Sequence, residues 1–247
     1  MTSVNRNPVR LTEPDTPPAV EGAPKPLVPG MRWLLLTAAV LVLLAGFQLF
    51  VFTGRTGTFF AWTIANPLAA AFLGAGYWAS MSIEALSGRQ RVWANARIAV
   101  PAVFVFTVLT LAATLMHLGQ FHLGGEFATG TRIVTVAWIA IYVLVPALMV
   151  IVLVVQARAA GADPPRSATL PAVHALLERD ARRLRPAAAG YILLAVLQAI
   201  ALARYPHEFG WGSGSGIVYL IFLATMLLTG AVALARGTSR MDTEVVS

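Results

Sequence analysis

Five residues of this chain could together hold a metal ion: His117, His122 and His207, with Glu126 and Glu208. Neutral imidazole and carboxylate make a ligand set for zinc, copper or non-haem iron. All five fall in or beside short polar stretches between long apolar runs. His117 and His122 are five apart, so a continuous helix would turn them about 140° from each other. They could share an ion only where the helix stops near Gly119. The competing reading gives these imidazoles ordinary interfacial duties, bonding to headgroups, water and loop carbonyls. Haem between spans needs histidines inside facing helices, and His117 with His207 forms a shallow pair of that kind. The same side chains could sense pH, or Arg55, Arg132 and Arg204 could close the site by pairing with Glu126 and Glu208.

The elements that must position these residues are membrane spans. Of 247 residues, 57% are hydrophobic and only 12% charged, about half the charged share of a soluble domain. Mean hydropathy is +0.72. The apolar residues lie in runs long enough to cross a hydrocarbon core of roughly 30 Å. Six spans are expected, at about 33–52, 67–86, 98–117, 133–156, 187–204 and 216–235. The first run ends at Val51-Phe52-Thr53-Gly54-Arg55 without a small-x-small cleavage site, which reads as a retained helix and not a signal peptide. The fold class is therefore all-α, a six-span transmembrane bundle.

Orientation follows from the cations. Of 18 Lys and Arg residues, all but Arg55, Arg132 and Arg204 fall on one set of termini and loops. By the positive-inside rule that set is cytoplasmic, so both termini are inside. Residues 1–31 are rich in proline and lack an apolar period, which predicts a disordered cytoplasmic tail. A second tail covers 237–247. Between the fourth and fifth spans, Asp163-Pro164-Pro165 stops the helix, and His174 follows. Leu170, Val173, Leu176, Leu177 and Leu184 then recur near helical spacing beside arginines. This amphipathic segment, 168–185, suits an anionic membrane surface. No nucleic-acid recognition motif accompanies the basic cluster, so nucleic acid is not an expected partner.

Within the spans, Asn66-Pro67 starts the second helix with a capping residue and a proline at its first position. Ala71, Ala75 and Ala79, near Gly74 and Ser82, give that helix a small-residue face for close packing and make it the expected centre of the bundle. Pro146 is expected to kink the fourth span. Trp33, Trp62, Trp138, Trp211 and Tyr205 fit interfacial belts. Glu84 is the one acid within a span and sits within reach of Arg89.

Cysteine is absent, which excludes disulfides, thiolate nucleophiles and iron–sulfur clusters. No glycine-rich phosphate loop, zinc-protease helix, broken-helix pair or Ser-His-Asp spacing is present. The chain thus reads as leaning away from enzymes.

The stretch Phe60–Tyr77, with His117 through His122 and Trp138 to Pro146, resembles a group of uncharacterised polytopic integral membrane proteins of actinobacterial type. That resemblance implies a bacterial inner-membrane home and carries over no catalytic residue. The expected role is a non-catalytic scaffold or accessory subunit. It would sit in the lipid bilayer and bind another membrane protein, or a second copy, through the small-residue face or the arginine-rich loop. The alternative is a metal- or haem-binding redox protein using the outer-face His/Glu residues. A small-solute carrier is the third reading.

Overall fold

The computed structural model describes residues 22–97, 99–163 and 181–238; for 181–186 and 236–238 only the backbone is described. Six long helices carry the fold: α1 (Pro29–Val51), α2 (Pro67–Gly88), α3 (Ala99–Met116), α4 (Thr129–Arg158), α5 (Ala181–Arg204) and α6 (Gly214–Thr238). Five of them, all except α2, are long and apolar enough to cross a membrane. The 22-residue α2 is also long enough, but Tyr77, Ser80, Ser82, Glu84 and Ser87 lower its apolar content. Among the described residues there is no strand, only three isolated bridges between loop segments. The helices alternate in direction between two ends of the bundle, called here the Lys25 end and the His122 end.

The second helix holds the centre because its small residues admit neighbours on two sides. Asn66 Oδ1 caps it by accepting from Ala69 N at 2.9 Å. Toward α1, a Cβ placed on Gly74 would lie 2.6 Å from Phe50 N and 3.0 Å from Gly46 O, so the two backbones touch there. On the same contact, Trp78 Nε1 donates to Leu43 O at 3.1 Å. Toward α5, Gly190 abuts Ile83 and the Ala79 carbonyl. Ala70, Ala71 and Ala75 are fully buried as a result. Much of the small-residue face is thus occupied inside the chain by α1 and α5.

The fifth and sixth helices pair closely, and α6 packs extensively only on α5 among the described elements. Gln198 ties this side together: its Nε2 donates to Phe72 O at 3.1 Å, and its Oε1 accepts from Tyr219 OH at 2.7 Å. The fourth helix runs unbroken past the buried Pro146.

At the Lys25 end the chain departs from expectation. The tail assigned as disordered through residue 31 is ordered from Gly22 onward. Residues 22–28 run between the turn before Trp93 and the segment after α4. Lys25 N donates to Ala162 O at 3.0 Å, Ala162 N to Ala23 O at 2.9 Å, Leu27 N to Arg91 O at 2.9 Å, and Trp93 N to Lys25 O at 2.9 Å. Gln156 closes the strap from α4: its Nε2 donates to Pro26 O and its Oε1 accepts from Val28 N, both at 2.9 Å. Leu27 then packs with Met31, Leu35, Trp93 and Met149. Prolines leave few free amides, so a strap satisfied by distant partners suits this sequence where a helix or sheet would not. The expected amphipathic segment 168–185 and the tails lie largely outside the described residues.

Candidate functional site

At the His122 end, the loop 57–66 and the loop 117–128 are joined through one imidazole. His122 is 2% exposed. Its Nδ1 lies 3.1 Å from Phe60 O and its Nε2 lies 3.0 Å from Thr63 Oγ1. The backbone joins as well, with His122 N donating to Ala61 O at 3.0 Å. The ring packs on Phe127, centroids 4.3 Å apart. A ligating imidazole needs one nitrogen free, and here both already have partners.

The other four expected site residues are placed apart from it. α3 stops at Met116 and a short turn over Leu118–Gln120 follows, so the helix break needed for His117 and His122 to meet is present. His117 nevertheless stays exposed. Glu126 is exposed on the 123–128 loop. His207 and Glu208 occupy the turn Pro206–Glu208 between α5 and α6, and Glu208 Oε2 accepts from Asn66 Nδ2 at 3.0 Å. Among the described residues no three His, Asp or Glu side chains gather around one point. The latch of arginines is not formed either. Arg204 Nη1 donates to Phe50 O at 2.6 Å and lies over the Phe50 and Tyr205 rings instead. Its neighbour Tyr205 hydrogen-bonds Thr53.

Beneath His122 lies an aromatic cluster that sequence reading assigned to a lipid belt. Trp138 is buried, with Trp62 at 5.1 Å, Phe60 at 5.0 Å and Tyr142 at 4.6 Å between ring centroids. Its Nε1 donates to Thr114 Oγ1 at 3.3 Å. Hydropathy cannot separate a tryptophan facing headgroups from one facing other rings. Only Trp33 and Trp211 of the expected belt are markedly exposed.

Deeper still, toward the Lys25 end, a polar stripe runs along α2. Tyr77, Ser80, Glu84 and Ser87 recur at three- and four-residue spacing and share one face. Tyr77 OH and Tyr142 OH are 2.8 Å apart, joining α2 to α4 inside the core. Ser80 Oγ donates to Glu84 Oε1 at 2.8 Å. Arg89, the partner expected for Glu84, is exposed beyond the helix end and forms no ion pair with it. The signal for this stripe was present in the sequence as a hydroxyl and carboxyl period within an apolar helix.

Comparison with protein-family models, with curated proteins and with solved structures found no match. What the chain does must therefore be argued from its own geometry. Several helices are apolar enough to span a bilayer, consistent with a multi-pass membrane protein.

Proposed function

We propose that the chain is a six-pass inner-membrane protein with both termini in the cytoplasm. Its role is that of a non-catalytic accessory subunit that docks an acidic segment of another membrane protein on its Lys25 end. The distribution of cations supports the orientation: 15 of 18 belong to that end or to the termini and loops continuous with it. α2 would be the sixth span, shielded from lipid by α1 and α5.

The observation that carries the docking role is the strap. Ordering loop residues costs about 1–2 kcal/mol each, yet residues 22–28, 89–97 and 157–163 are stitched together by main-chain bonds and by Gln156. A connection that only joined helices would not need this. The stitched surface presents Arg91 and Arg158 exposed, with Arg32 close by in sequence on α1. Lys25 Nζ, by contrast, is spent on Ala157 O at 2.9 Å, and Arg97 on Asp163 at 2.7 Å. Exposed guanidinium groups on a stitched main chain favour a carboxylate-bearing partner and make the association sensitive to salt.

The test is site-specific photo-cross-linking from position 160, exposed beside Arg158, in native membranes, with the captured protein identified and re-expressed. Charge reversal (Arg91→Glu with Arg158→Glu) should abolish capture and co-purification while leaving thermal unfolding unmoved. Cross-links to lipid alone, or capture indifferent to charge reversal and salt, would refute the docking role.

A further inference from the structure

Independently of the docking surface, the polar stripe on α2 contains a carboxyl group with an incomplete set of partners. Glu84 is 2% exposed. Its Oε1 is satisfied by Ser80, but Oε2 has no hydrogen-bond partner among the described residues, and neither has Ser87 Oγ. Among the described residues no cation pairs with it. On its own helix and the turn that follows, Arg89 and Arg91 are exposed, and Arg97 is paired with Asp163. α1 offers only Arg32, which is exposed, and α3 has no titratable residue. The fifth helix brings Tyr191, next to the Gly190 contact with Ile83, and carries Arg182, Arg183 and Arg185 in its first turns. The other titratable groups of the stripe are the hydroxyls of Tyr77 and, from α4, Tyr142, which lie 2.8 Å apart.

An ionised carboxylate left unpaired inside a membrane bundle is costly, and such residues mark ion or proton routes. We propose that Glu84 is a proton-binding site, loaded and emptied from the Lys25 end of the bundle. The direction comes from what flanks the stripe. On one side Ser87 leads to the turn where Asn95 Nδ2 donates to Gln90 Oε1 at 3.4 Å, both side chains being partly exposed. On the other side Tyr142 passes on only to the Thr110 hydroxyl of α3, which itself donates to Phe106 O at 2.8 Å, and the rings of Trp138, Trp62 and Phe60 offer no relay. Ten residues of helix from Tyr77 to Ser87 span about 15 Å, roughly half a hydrocarbon core. The route is therefore blind: a proton enters past Ser87, rests on Glu84 Oε2, and leaves the way it came unless the aromatic cluster rearranges.

The full chain in lipid nanodiscs provides the test, by infrared titration of the protonated-carboxyl stretch. Above about pH 6, where ordinary carboxyls are ionised, a band should remain, fall as pH rises further, and be missing in Glu84→Gln. Ser80→Ala should shift its frequency by removing the hydrogen bond to Oε1. Glu84→Asp keeps a carboxyl and should keep a titrating band, which covers the case in which Glu84→Gln does not fold. In a pH jump, Ser87→Val should slow loss of the band by about tenfold, as expected for removing one relay group, whereas Thr114→Val, at the far end, should leave the rate unchanged. Spectra of the wild type that lack a carboxyl band titrating above about pH 6 would overturn the assignment. So would loss of the band on adding sodium at fixed pH, which would make the ligand a metal cation.

Discussion

Gly161 and Lys25 lie back to back: a Cβ on Gly161 would stand 2.6 Å from Lys25 Cα and 2.9 Å from its N, and Gly161 has φ +121°. Only glycine meets both demands at once. Gly161→Ala should therefore cost about 1–3 kcal/mol through strain and displacement of the strap. Amide hydrogen exchange checks this, because the Lys25 and Leu27 amides, bonded to Ala162 O and Arg91 O, should exchange faster in the variant than in the wild type.

Gln156 bonds two main-chain groups that nothing else satisfies. Gln156→Ala should leave Pro26 O and Val28 N without partners, at about 1–3 kcal/mol for each buried group left unpaired. A cysteine introduced at Val28 should react faster with a water-soluble maleimide in this variant than in the parent. Equal rates would deny Gln156 its clamping role.

His122 is expected to act as a structural pin between two loops. His122→Ala should lower the melting temperature in detergent and alter tryptophan fluorescence, since Trp62 and Trp138 lie beneath it. With both ring nitrogens engaged by Phe60 O and Thr63, added zinc or a chelator should change neither signal in the wild type. A stoichiometric zinc-induced rise in melting temperature that His122→Ala removes would restore the metal reading.

The alanine face of α2 lies inside the chain, so enlarging it should damage the fold and not a partner contact. Ala75→Leu should destabilise by about 1–3 kcal/mol through overpacking against α5. Unfolding in mixed micelles reads this directly. Loss of a co-purified protein with unchanged stability would mean the face is open after all.

Much of the fold was legible. Apolar runs located all six long helices, and Asn66-Pro67 marked the start of α2 to the residue. Small residues identified α2 as central, because close backbone approach needs them wherever it occurs. The strap was not legible. Its partners are main-chain atoms more than sixty residues away, and main-chain bonding leaves no side-chain pattern. The same limit applied to the outer-face residues: composition gathered three histidines and two glutamates at one end of the bundle, but their distances depend on loop paths. For Trp138, the periodicity placed it on α4 without saying which neighbours filled its surroundings. Glu84 was singled out correctly as unusual, while its expected partner, Arg89, lies beyond the helix end, where solvent or headgroups compete for it.

The attachment of α6 also bears on how the chain comes together. Its extensive contacts are with α5 alone, through Gly230 against Ala188 O and Ile192, and through Tyr219 against Gln198. Until α5 is in the bilayer, the last helix has little beyond the Phe72 ring of α2, on which Tyr219 stacks, to recognise. Synthesis from the N-terminus releases α1 and α2 first, and their close backbone contact can form before anything downstream exists. Assembly is thereby ordered by geography: an early α1–α2 hairpin serves as the template, and an α5–α6 hairpin arrives late as a unit that docks through its α5 side.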